Sequence, residues 1–493
     1  MRAWLAGALG IAAGIFGFTG AAGIAGPGPV AAVIGLAAAG LTALWSHRRP
    51  PVEIDPTAVS RPLRILSAVA TVAALLLLAR LAVFIVDPAQ VEFSVVPSSQ
   101  WEVQHSCLTA YFVSAQSAST NPDIYDPSLF NDPSEDGTGL RKPRLLGPFK
   151  IDVYEYPPPF LLLPRTLMRI APDFMQLRML WFGLSGAVIL AGLLAVARVM
   201  GAAAGTRAVL LVPLVFAAYA TLNTLQKGNV QIVVIAISLI AMVLFERSRW
   251  AAGGALLAFA TVSKLYPGLL VFYLLARRQW RAAAWTVAMG AGFALLTVAD
   301  IGWTPYSHFL HHLPGLLGGE AFPAFRNPKA MAVNFSVPGL VFKLGLFGIP
   351  GMSFAVSKLI GWIFTAVALA LTFQAGRRRI ADVDKPLVWT AIVILATLRS
   401  PFLPLSYATF PAIWILTLCA ARFTPTARTI GSFLLAWGAL NIMWPQDWPM
   451  RPTLVALLSG IPQALTILLA VTALRPRAMA QVTQPVVEAA PAS

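Results

Sequence analysis

Charged residues are scarce in this chain of 493 residues: Asp, Glu, Lys and Arg together make up 11%, whereas hydrophobic residues make up 58%. A soluble globular protein carries about 25% charged residues. The composition therefore argues against a soluble protein. Cysteine is scarcer still, because Cys107 and Cys419 are the only two. Two cysteines so far apart do not make the disulfide framework of a small secreted domain.

Short segments of alternating hydrophobicity, which are typical of membrane β-barrels, are also lacking. Instead, apolar runs of about twenty residues recur along the chain, each long enough to cross roughly 30 Å of hydrocarbon as a helix. The mean hydropathy is +0.73. The sequence therefore predicts an all-α polytopic membrane protein.

Acidic residues are few, with 20 Asp and Glu against 36 Lys and Arg, and the net charge is +16. The basic residues cluster in short connections such as "SHRRP", "ERSRW", "ARRQWR" and "AGRRR". This is the positive-inside pattern of cytoplasmic loops and not a nucleic-acid surface. Eleven of the 20 acids lie between Asp87 and Asp173. We therefore place the loop 87–175 on the extracytoplasmic face of the plasma (inner) membrane.

Basic clusters used as cytoplasmic anchors predict about twelve spans and one re-entrant hairpin. The hairpin is residues 251–276, because basic clusters flank it on both sides and "SKLYPG" interrupts it. Such a break is tolerated only where protein or a water-filled cavity surrounds the freed backbone groups. The predicted spans lie near residues 3–23, 29–46, 65–86, 176–199, 208–225, 229–245, 282–300, 353–375, 386–400, 402–420, 428–446 and 452–474.

Three segments follow from this topology. Residues 1–64 form a membrane hairpin, which we prefer to a cleaved signal peptide, and a basic cytoplasmic loop. Residues 65–474 form the transmembrane domain with a second outer loop, 301–332, and the apolar stretch after that loop is interpreted as an outer-face helix. Residues 475–493 are expected to be a disordered cytoplasmic tail.

Polar side chains near the ends of the predicted spans are candidates for a site. Lys227, Asn229 and Gln231 lie in "LQKGNVQ", where their side chains either satisfy backbone groups or face a cavity. Lys264 lies at the hairpin break, and ionisable groups inside a membrane usually face a pathway or site. An acid partner is its structural alternative, but a cation at this place suits an anionic group such as a phosphate.

The outer loops supply further candidates. His308, His311 and His312 do not have the spacing or the accompanying carboxylate of a metal site, so no metal is expected. The loop acids Asp123 and Asp126 are either solvated surface or a general base aimed into the cavity.

The stretch "VYEYPPPF" ends the long loop. Its prolines prevent a helix. Tyr154, Glu155 and Tyr156 face a substrate in one interpretation and form an aromatic belt at a rigid corner in the other.

The order of these motifs resembles glycosyltransferase family 87 of the GT-C superfold, which includes polyprenol-phosphate-mannose-dependent mannosyltransferases. The resemblance covers roughly residues 65–420. It rests on the tyrosine-proline turn "YEYPPP", the amide pair in "QKGNVQ", the break "SKLYP" followed by "YLLARRQWR", "NFSVPG" with Asn334, and "RSP" with Arg399.

The resemblance implies a GT-C-like bundle with its active site at the outer face. It implies a polyprenyl-phosphate sugar as donor, no cofactor, and direct displacement with inversion onto a glycan, lipid or protein acceptor. Tyr154, Glu155 and Tyr156 would then face the sugar, and Lys264 would be near the donor phosphate.

One motif departs from the family. Relatives carry an early loop aspartate in a pattern like D-[FY]-x-x-[YW]-x-x-A, whereas this chain has "HSCLTAYFVSA" with Cys107 or a neighbour at that place. His105 is one substitute base, because imidazole titrates near neutrality. Glu102, Asp123 or Asp126 could also replace the aspartate. The third interpretation is that the catalytic residue has been lost and the protein has another role.

Two other function classes stay open at this point. A lipid-linked substrate transporter or flippase also uses broken helices and membrane lysines, although internal repeats are not evident here. A non-catalytic assembly protein of envelope glycan synthesis is the other alternative, and the missing aspartate favours it.

Overall fold

The computed structural model describes residues 1–121, 123–132, 142–445 and 447–475. The predicted disordered tail therefore lies, apart from Arg475, outside the described residues. Three helices form the N-terminal part of the chain: α1 (Arg2–Ala25), α2 (Pro29–Arg48) and α3 (Arg61–Val86). A 3-10 turn, Pro56–Ala58, precedes α3.

The segment between α3 and the next long helix holds short elements only. Its helices are α4 (Gln100–Gln104), α5 (Leu108–Ser117) and α6 (Leu162–Met168), and its strands are β1 (His105–Ser106), β2 (Asn131–Asp132), β3 (Lys142–Pro143), β4 (Leu145–Leu146) and β5 (Phe149–Ile151). The 3-10 turns here are Val91–Phe93, Pro127–Leu129 and Pro158–Leu161. Strand β5 pairs parallel with β1 and antiparallel with β4, and β2 pairs antiparallel with β3.

The rest of the chain is a helical bundle. Its helices are α7 (Phe174–Val199), α8 (Ala202–Phe216), α9 (Tyr219–Lys227), α10 (Gln231–Glu246), α11 (Trp250–Ser263), α12 (Gly268–Ala276), α13 (Trp280–Ile301), α14 (Thr304–Gly318), α15 (Pro328–Ala332), α16 (Leu340–Gly345), α17 (Phe354–Arg377), α18 (Lys385–Leu398), α19 (Leu405–Ala421), α20 (Ala427–Leu440) and α21 (Pro452–Leu474). Two further 3-10 turns are Pro323–Arg326 and Asp382–Asp384.

The predicted all-α polytopic membrane protein is confirmed. Among the described residues, seven helices are long and apolar enough to cross a membrane: α1, α2, α3, α7, α13, α17 and α21. Helices α8 and α9 make an eighth span if the pair, bent by 58°, counts as one. The other four predicted spans are the shorter helices α10, α18, α19 and α20.

Local sequence explains where several helices begin. Asp173 and Gln176 form a capping box at the start of α7, so amide groups that lack a helical partner are satisfied. Ser353 caps α17 through the Val356 amide. Helix α9 ends at Gly228, whose φ of 65° is the left-handed conformation that glycine adopts at helix ends.

Helices α11 and α12 form the hairpin expected from the sequence. Gly254 of α11 lies against Trp285 of α13, and the rings of Phe259 and Phe293 are 5.6 Å apart further along both helices. Because both contacts advance in the same direction, α11 and α13 run parallel, and α12 must return to the end where α11 began. The tip of the hairpin, residues 264–267, is therefore at the other end, where α11 packs against the turn Pro158–Leu161.

The apolar stretch 332–351 does not form a span. After Ala332, the last residue of α15, its one helix is the six-residue α16. This agrees with the topology argument that excluded a crossing there.

Helix α1 packs closely against α7 because both have glycine at the contact. A Cβ atom added to Gly183 would lie 2.5 Å from the Phe16 carbonyl oxygen and 2.7 Å from the Gly20 amide nitrogen. The close approach depends on a residue without a side chain.

We therefore expect Gly183→Ala to lower the free energy of unfolding by about 1–3 kcal/mol, because the two backbones must separate. The measurement is thermal unfolding of the purified protein in detergent. Gly292→Ala is the matched control, since a Cβ there has nothing within 4 Å. Equal melting temperatures for the two variants would show that the α1–α7 contact is not tight.

Candidate functional site

The parallel pairing of β1 and β5 brings two distant parts of the long loop together. His105 lies beside Lys150, and Ser106 lies beside Ile151. The Thr109 hydroxyl donates to the Ser106 carbonyl at 2.6 Å and accepts from the Asp152 amide at 2.9 Å. Residues 105–107 therefore lie against residues 150–152, although more than forty positions separate them in the sequence.

His105, Cys107 and Asp152 form one cluster. The His105 Nε2 atom is 3.6 Å from the Cys107 Sγ atom and 3.7 Å from an Asp152 carboxylate oxygen. The Trp101 ring stacks on the imidazole with centroids 5.0 Å apart. Burial lowers the pKa of His105, and Asp152 partly opposes that shift.

Cys107 lies in the stretch where the family pattern places an aspartate, at that position or next to it. Burial raises the pKa of its thiol to about 12, so the thiol itself is not a base at neutral pH. The Tyr407 hydroxyl lies 3.1 Å from its sulfur and connects this cluster to α19.

An aromatic wall forms the next part of the site. The Tyr111 hydroxyl donates to the Tyr156 hydroxyl at 2.8 Å, and the Tyr125 hydroxyl donates to the Tyr156 carbonyl at 2.7 Å. Tyr154 and Phe160 are fully buried beside them. The turn Pro158–Leu161 thus keeps the rings of Tyr154 and Tyr156 inside the loop. An exposed corner or an aromatic belt at the membrane surface would leave both rings uncovered.

Lys264 reaches this wall from the hairpin tip. It follows the last residue of α11 in an extended conformation, and its Nζ atom lies 4.8 Å from the centre of the Tyr156 ring and 6.0 Å from that of Tyr407. None of the ion pairs in the described ranges includes Lys264. The ammonium group is therefore half-buried against two aromatic faces without a carboxylate in contact.

The Glu155 carboxyl group is close enough to both Asp152 and Lys264 to feel their charges. Burial raises the pKa of Glu155, Asp152 adds to that effect and Lys264 opposes it, and the resulting pKa is about 8. A carboxyl group that titrates near neutrality can exchange a proton at physiological pH.

The side chains of Asn229 and Gln231, at the junction of α9 and α10, have different surroundings. The Asn229 side-chain nitrogen lies 3.4 Å from the Tyr156 hydroxyl, and its oxygen accepts from the Gln231 amide at 2.8 Å. Gln231 is buried, and its carbonyl accepts from the Tyr266 hydroxyl at 3.5 Å. Asn229 therefore belongs to the site, while the buried Gln231 lies outside it and contacts Asn229.

Lys227 is engaged by an acid. Its Nζ atom lies 2.7 Å from a Glu102 carboxylate oxygen, and the two side chains are 9% and 7% exposed. The Gln226 side chain also holds this part of the loop, donating to the Glu102 carbonyl at 2.9 Å. These contacts tie the loop helix α4 to α9.

The histidines of α14 lie against the loop. His308 Nδ1 is 2.9 Å from an Asp123 carboxylate oxygen, and the His312 ring stacks on Tyr125 with centroids 5.6 Å apart. His311 is exposed. Asp126 accepts from the Ser128 amide at 2.9 Å and begins a 3-10 turn. The structure thus gives Asp123 and Asp126 local partners beside the aromatic wall.

Asn334 and Arg399 join the later helices. The fully buried Asn334 donates to the Pro401 carbonyl at 3.0 Å and accepts from the Leu403 amide at 3.0 Å. Arg399 donates to the Thr365 hydroxyl at 2.6 Å and packs over the Trp362 ring. Their observed contacts hold the "NFSVPG" segment and α17 to the α18–α19 connection.

Asp152 was not among the residues singled out from the sequence. Asp152 stands in "IDVYEY", three residues before Glu155, so its neighbourhood was a usable signal. The contact between Asp152 and His105 was not predictable from the sequence, because it depends on the pairing of β1 with β5.

The fold and this site define a multi-pass membrane protein in which an extramembrane loop closes over a broken helix and brings acid, imidazole and lysine side chains together. The model of glycosyltransferase family 87 matches residues 154–401, which is half of the chain. The chain belongs to this family, and the membership indicates a glycosyltransferase. No curated protein and no solved structure matches it.

The matched range begins at Tyr154 and includes Glu155, Tyr156 and Lys264, whereas His105, Cys107 and Asp152 lie before it. The site is thus composed of a part that the family model describes and a part that it does not.

The Glu102–Lys227 pair provides a test of what Lys227 does. Lys227→Met leaves the Glu102 carboxylate buried without a partner, and we expect a loss of about 3–5 kcal/mol in unfolding free energy. Adding Glu102→Gln should recover part of that loss. Thermal unfolding in detergent measures both effects.

The control is Lys358→Met, which breaks the exposed pair with Glu320, whose side chains are 44% and 41% exposed. We expect a change of at most about 1 kcal/mol there. If Lys227→Met leaves the melting temperature unchanged and instead weakens donor binding, Lys227 is a substrate ligand rather than a structural one.

Proposed function

We propose that the chain is an inverting glycosyltransferase that moves a hexose, in the first instance mannose, from polyprenyl phosphate to a glycan, lipid or protein acceptor at the extracytoplasmic face of the plasma membrane. The observation that carries the proposal is Lys264, a lysine at the tip of a membrane hairpin, near Glu155 and without a carboxylate in contact. A cation so placed suits the phosphate of a lipid-linked donor.

The position of the hairpin supports the orientation. Helices α11 and α12 bring the basic segments 247–249 and 277–281 to one end of the hairpin and Lys264 to the other. By the positive-inside rule, the basic end is cytoplasmic. The tip, the long loop and the donor phosphate then lie at the outer face.

The reaction requires little from the protein beyond positioning and charge. An acceptor hydroxyl oxygen forms a bond to the anomeric carbon while the bond from that carbon to the phosphate oxygen breaks. The phosphate leaves with the electron pair, and Lys264 stabilises the developing charge. The acceptor proton passes to a base, and inversion follows from a single displacement.

Two groups are placed to take that proton. Glu155 titrates near neutrality, which suits a general base. His105 also accepts a proton, but its Nε2 atom already faces Asp152 and Cys107. We therefore assign the base to Glu155 first and to His105 second, with Tyr156 and Asn229 around the sugar and the buried Tyr154 packed against Tyr156.

Lys264→Ala should reduce kcat/KM for a polyprenyl-phosphate sugar by about 10²–10³-fold, because a charge stabiliser of the leaving phosphate is removed. Lys264→Arg should retain part of the activity. The assay follows transfer of radiolabelled mannose from polyprenyl phosphate in membranes containing the protein, with a nucleotide sugar as the alternative donor. Lys358→Ala, at an exposed ion pair, is the control.

Consumption of the nucleotide sugar instead, or full activity in Lys264→Ala, would contradict the donor assignment.

Glu155→Gln tests the base. A base must be deprotonated, so kcat/KM should rise as the pH approaches about 8, the pKa of Glu155. The variant should lose about 10²–10⁴-fold in rate and lose this rise. Glu320→Gln, on the exposed pair, should keep the wild-type profile.

If kcat/KM instead rises at lower pH, where histidine titrates, and this rise is lost in His105→Gln, then His105 is the base.

A further inference from the structure

His105, Cys107 and Asp152 offer three different ligand atoms that all lie within 4.8 Å of one another. Imidazole nitrogen, thiolate sulfur and carboxylate oxygen are the three side-chain ligands that zinc takes in proteins. We propose that these residues bind one zinc ion. The sequence did not indicate this site, because its third ligand comes from the other end of the loop.

Two of the three distances between the ligand atoms match such a centre, and the third is at most 4.8 Å. Zinc bonds sulfur at about 2.3 Å and nitrogen or oxygen at about 2.0–2.2 Å, so the ligand atoms of a tetrahedral site lie roughly 3.3–3.7 Å apart. The Nε2 atom of His105 is 3.6 Å from the Cys107 sulfur and 3.7 Å from the Asp152 oxygen. A single nitrogen thus faces both other ligands, as one ion between the three requires.

The ligands are held in place by their surroundings. Trp101 stacks on the imidazole, and the Tyr407 hydroxyl lies 3.1 Å from the sulfur. The Asp152 amide donates to Thr109, which fixes the backbone beside β5. Outer contacts of this kind orient metal ligands before the ion arrives.

Charge and accessibility also suit a divalent cation. A thiolate and a carboxylate supply two negative charges, and binding releases the thiol proton to water. Two lysines oppose positive charge at His105: Lys227 is paired with Glu102 at 2.7 Å, and Lys150 lies over the Trp101 ring at 5.8 Å. The Asp152 and His105 side chains are 37% and 16% exposed, so an ion can reach a cysteine that is itself buried.

The identity of the ion follows from the ligands. Magnesium and calcium prefer sites built of oxygen atoms, whereas a mixed sulfur, nitrogen and oxygen site favours zinc. Three protein ligands leave the fourth position of a tetrahedral zinc open, as in catalytic zinc sites.

The role of the ion rests on the proposed function, although the site does not. Tyr407 contacts Cys107, and Lys264 lies 6.0 Å from the Tyr407 ring centre, so one side chain joins the proposed zinc ligands to the lysine. We assign a phosphate oxygen of the donor to the open position, where zinc and Lys264 share the charge of the leaving group. His105 is then a ligand, and Glu155 is the base.

The first test is metal content. Full-length protein carrying an affinity tag without histidine is stripped with a chelator, loaded with zinc chloride, freed of excess ion and analysed by mass spectrometry. We expect one zinc per chain. Cys107→Ser and Asp152→Asn should lose zinc affinity by at least about tenfold, whereas Cys419→Ser and His311→Gln should keep it.

Two measurements on wild-type protein avoid the risk that a variant fails to fold. Cobalt in place of zinc should show sulfur-to-metal charge-transfer absorption. Zinc should also slow alkylation of Cys107 and leave that of Cys419, the internal control, unchanged. Wild-type protein that binds no zinc and shows neither effect overturns the site.

Transfer assays separate this proposal from the proposed function. Zinc-loaded protein that transfers no sugar from any polyprenyl phosphate overturns the function and leaves the metal site in place. Full transfer by stripped protein, with zinc binding intact, overturns the catalytic role of the ion only.

Discussion

The contact between the hairpin tip and the proline turn is the interaction on which the site depends. A chain that breaks its helix at membrane depth exposes backbone groups that hydrocarbon cannot satisfy, and such a break persists only where protein or water surrounds it. Here α11 ends at Ser263, and the turn Pro158–Leu161 packs against its end. Lys264 is consequently held against Tyr156 instead of being free in the lipid.

A second constraint acts inside the loop. Two short strands, β1 and β5, carry His105 and Lys150 in parallel register, and that register decides which side chains meet. A shift by one residue would turn Asp152 away from His105, because side chains alternate between the two faces of a strand. The buried Glu102–Lys227 pair then fixes this small domain to the bundle. The β1–β5 register thus determines which side chains meet in the loop, and the Glu102–Lys227 pair determines where the loop is attached to the helical bundle.

The helices were predictable because their cause is local. Every backbone polar group in a bilayer must find its partner within the segment, so an apolar run of sufficient length becomes a helix whatever surrounds it. Each predicted span falls on one observed helix except 208–225, which is divided between α8 and α9. The two ends of the hairpin at residues 251–276 lie together, as its basic flanks required. The membrane face of each loop is a matter of charge bias and stays a prediction.

The sequence by itself determined a polytopic helical membrane protein and the place of its hairpin, with Lys264 at the break, since these depend on composition and on neighbours along the chain. Tertiary structure alone decided that Lys227 is paired with Glu102, that Asn334 holds a backbone connection and that Asp152 joins His105 and Cys107. The physical reason is distance along the chain. Contacts between residues more than forty positions apart follow from strand register and helix packing, which no local pattern encodes.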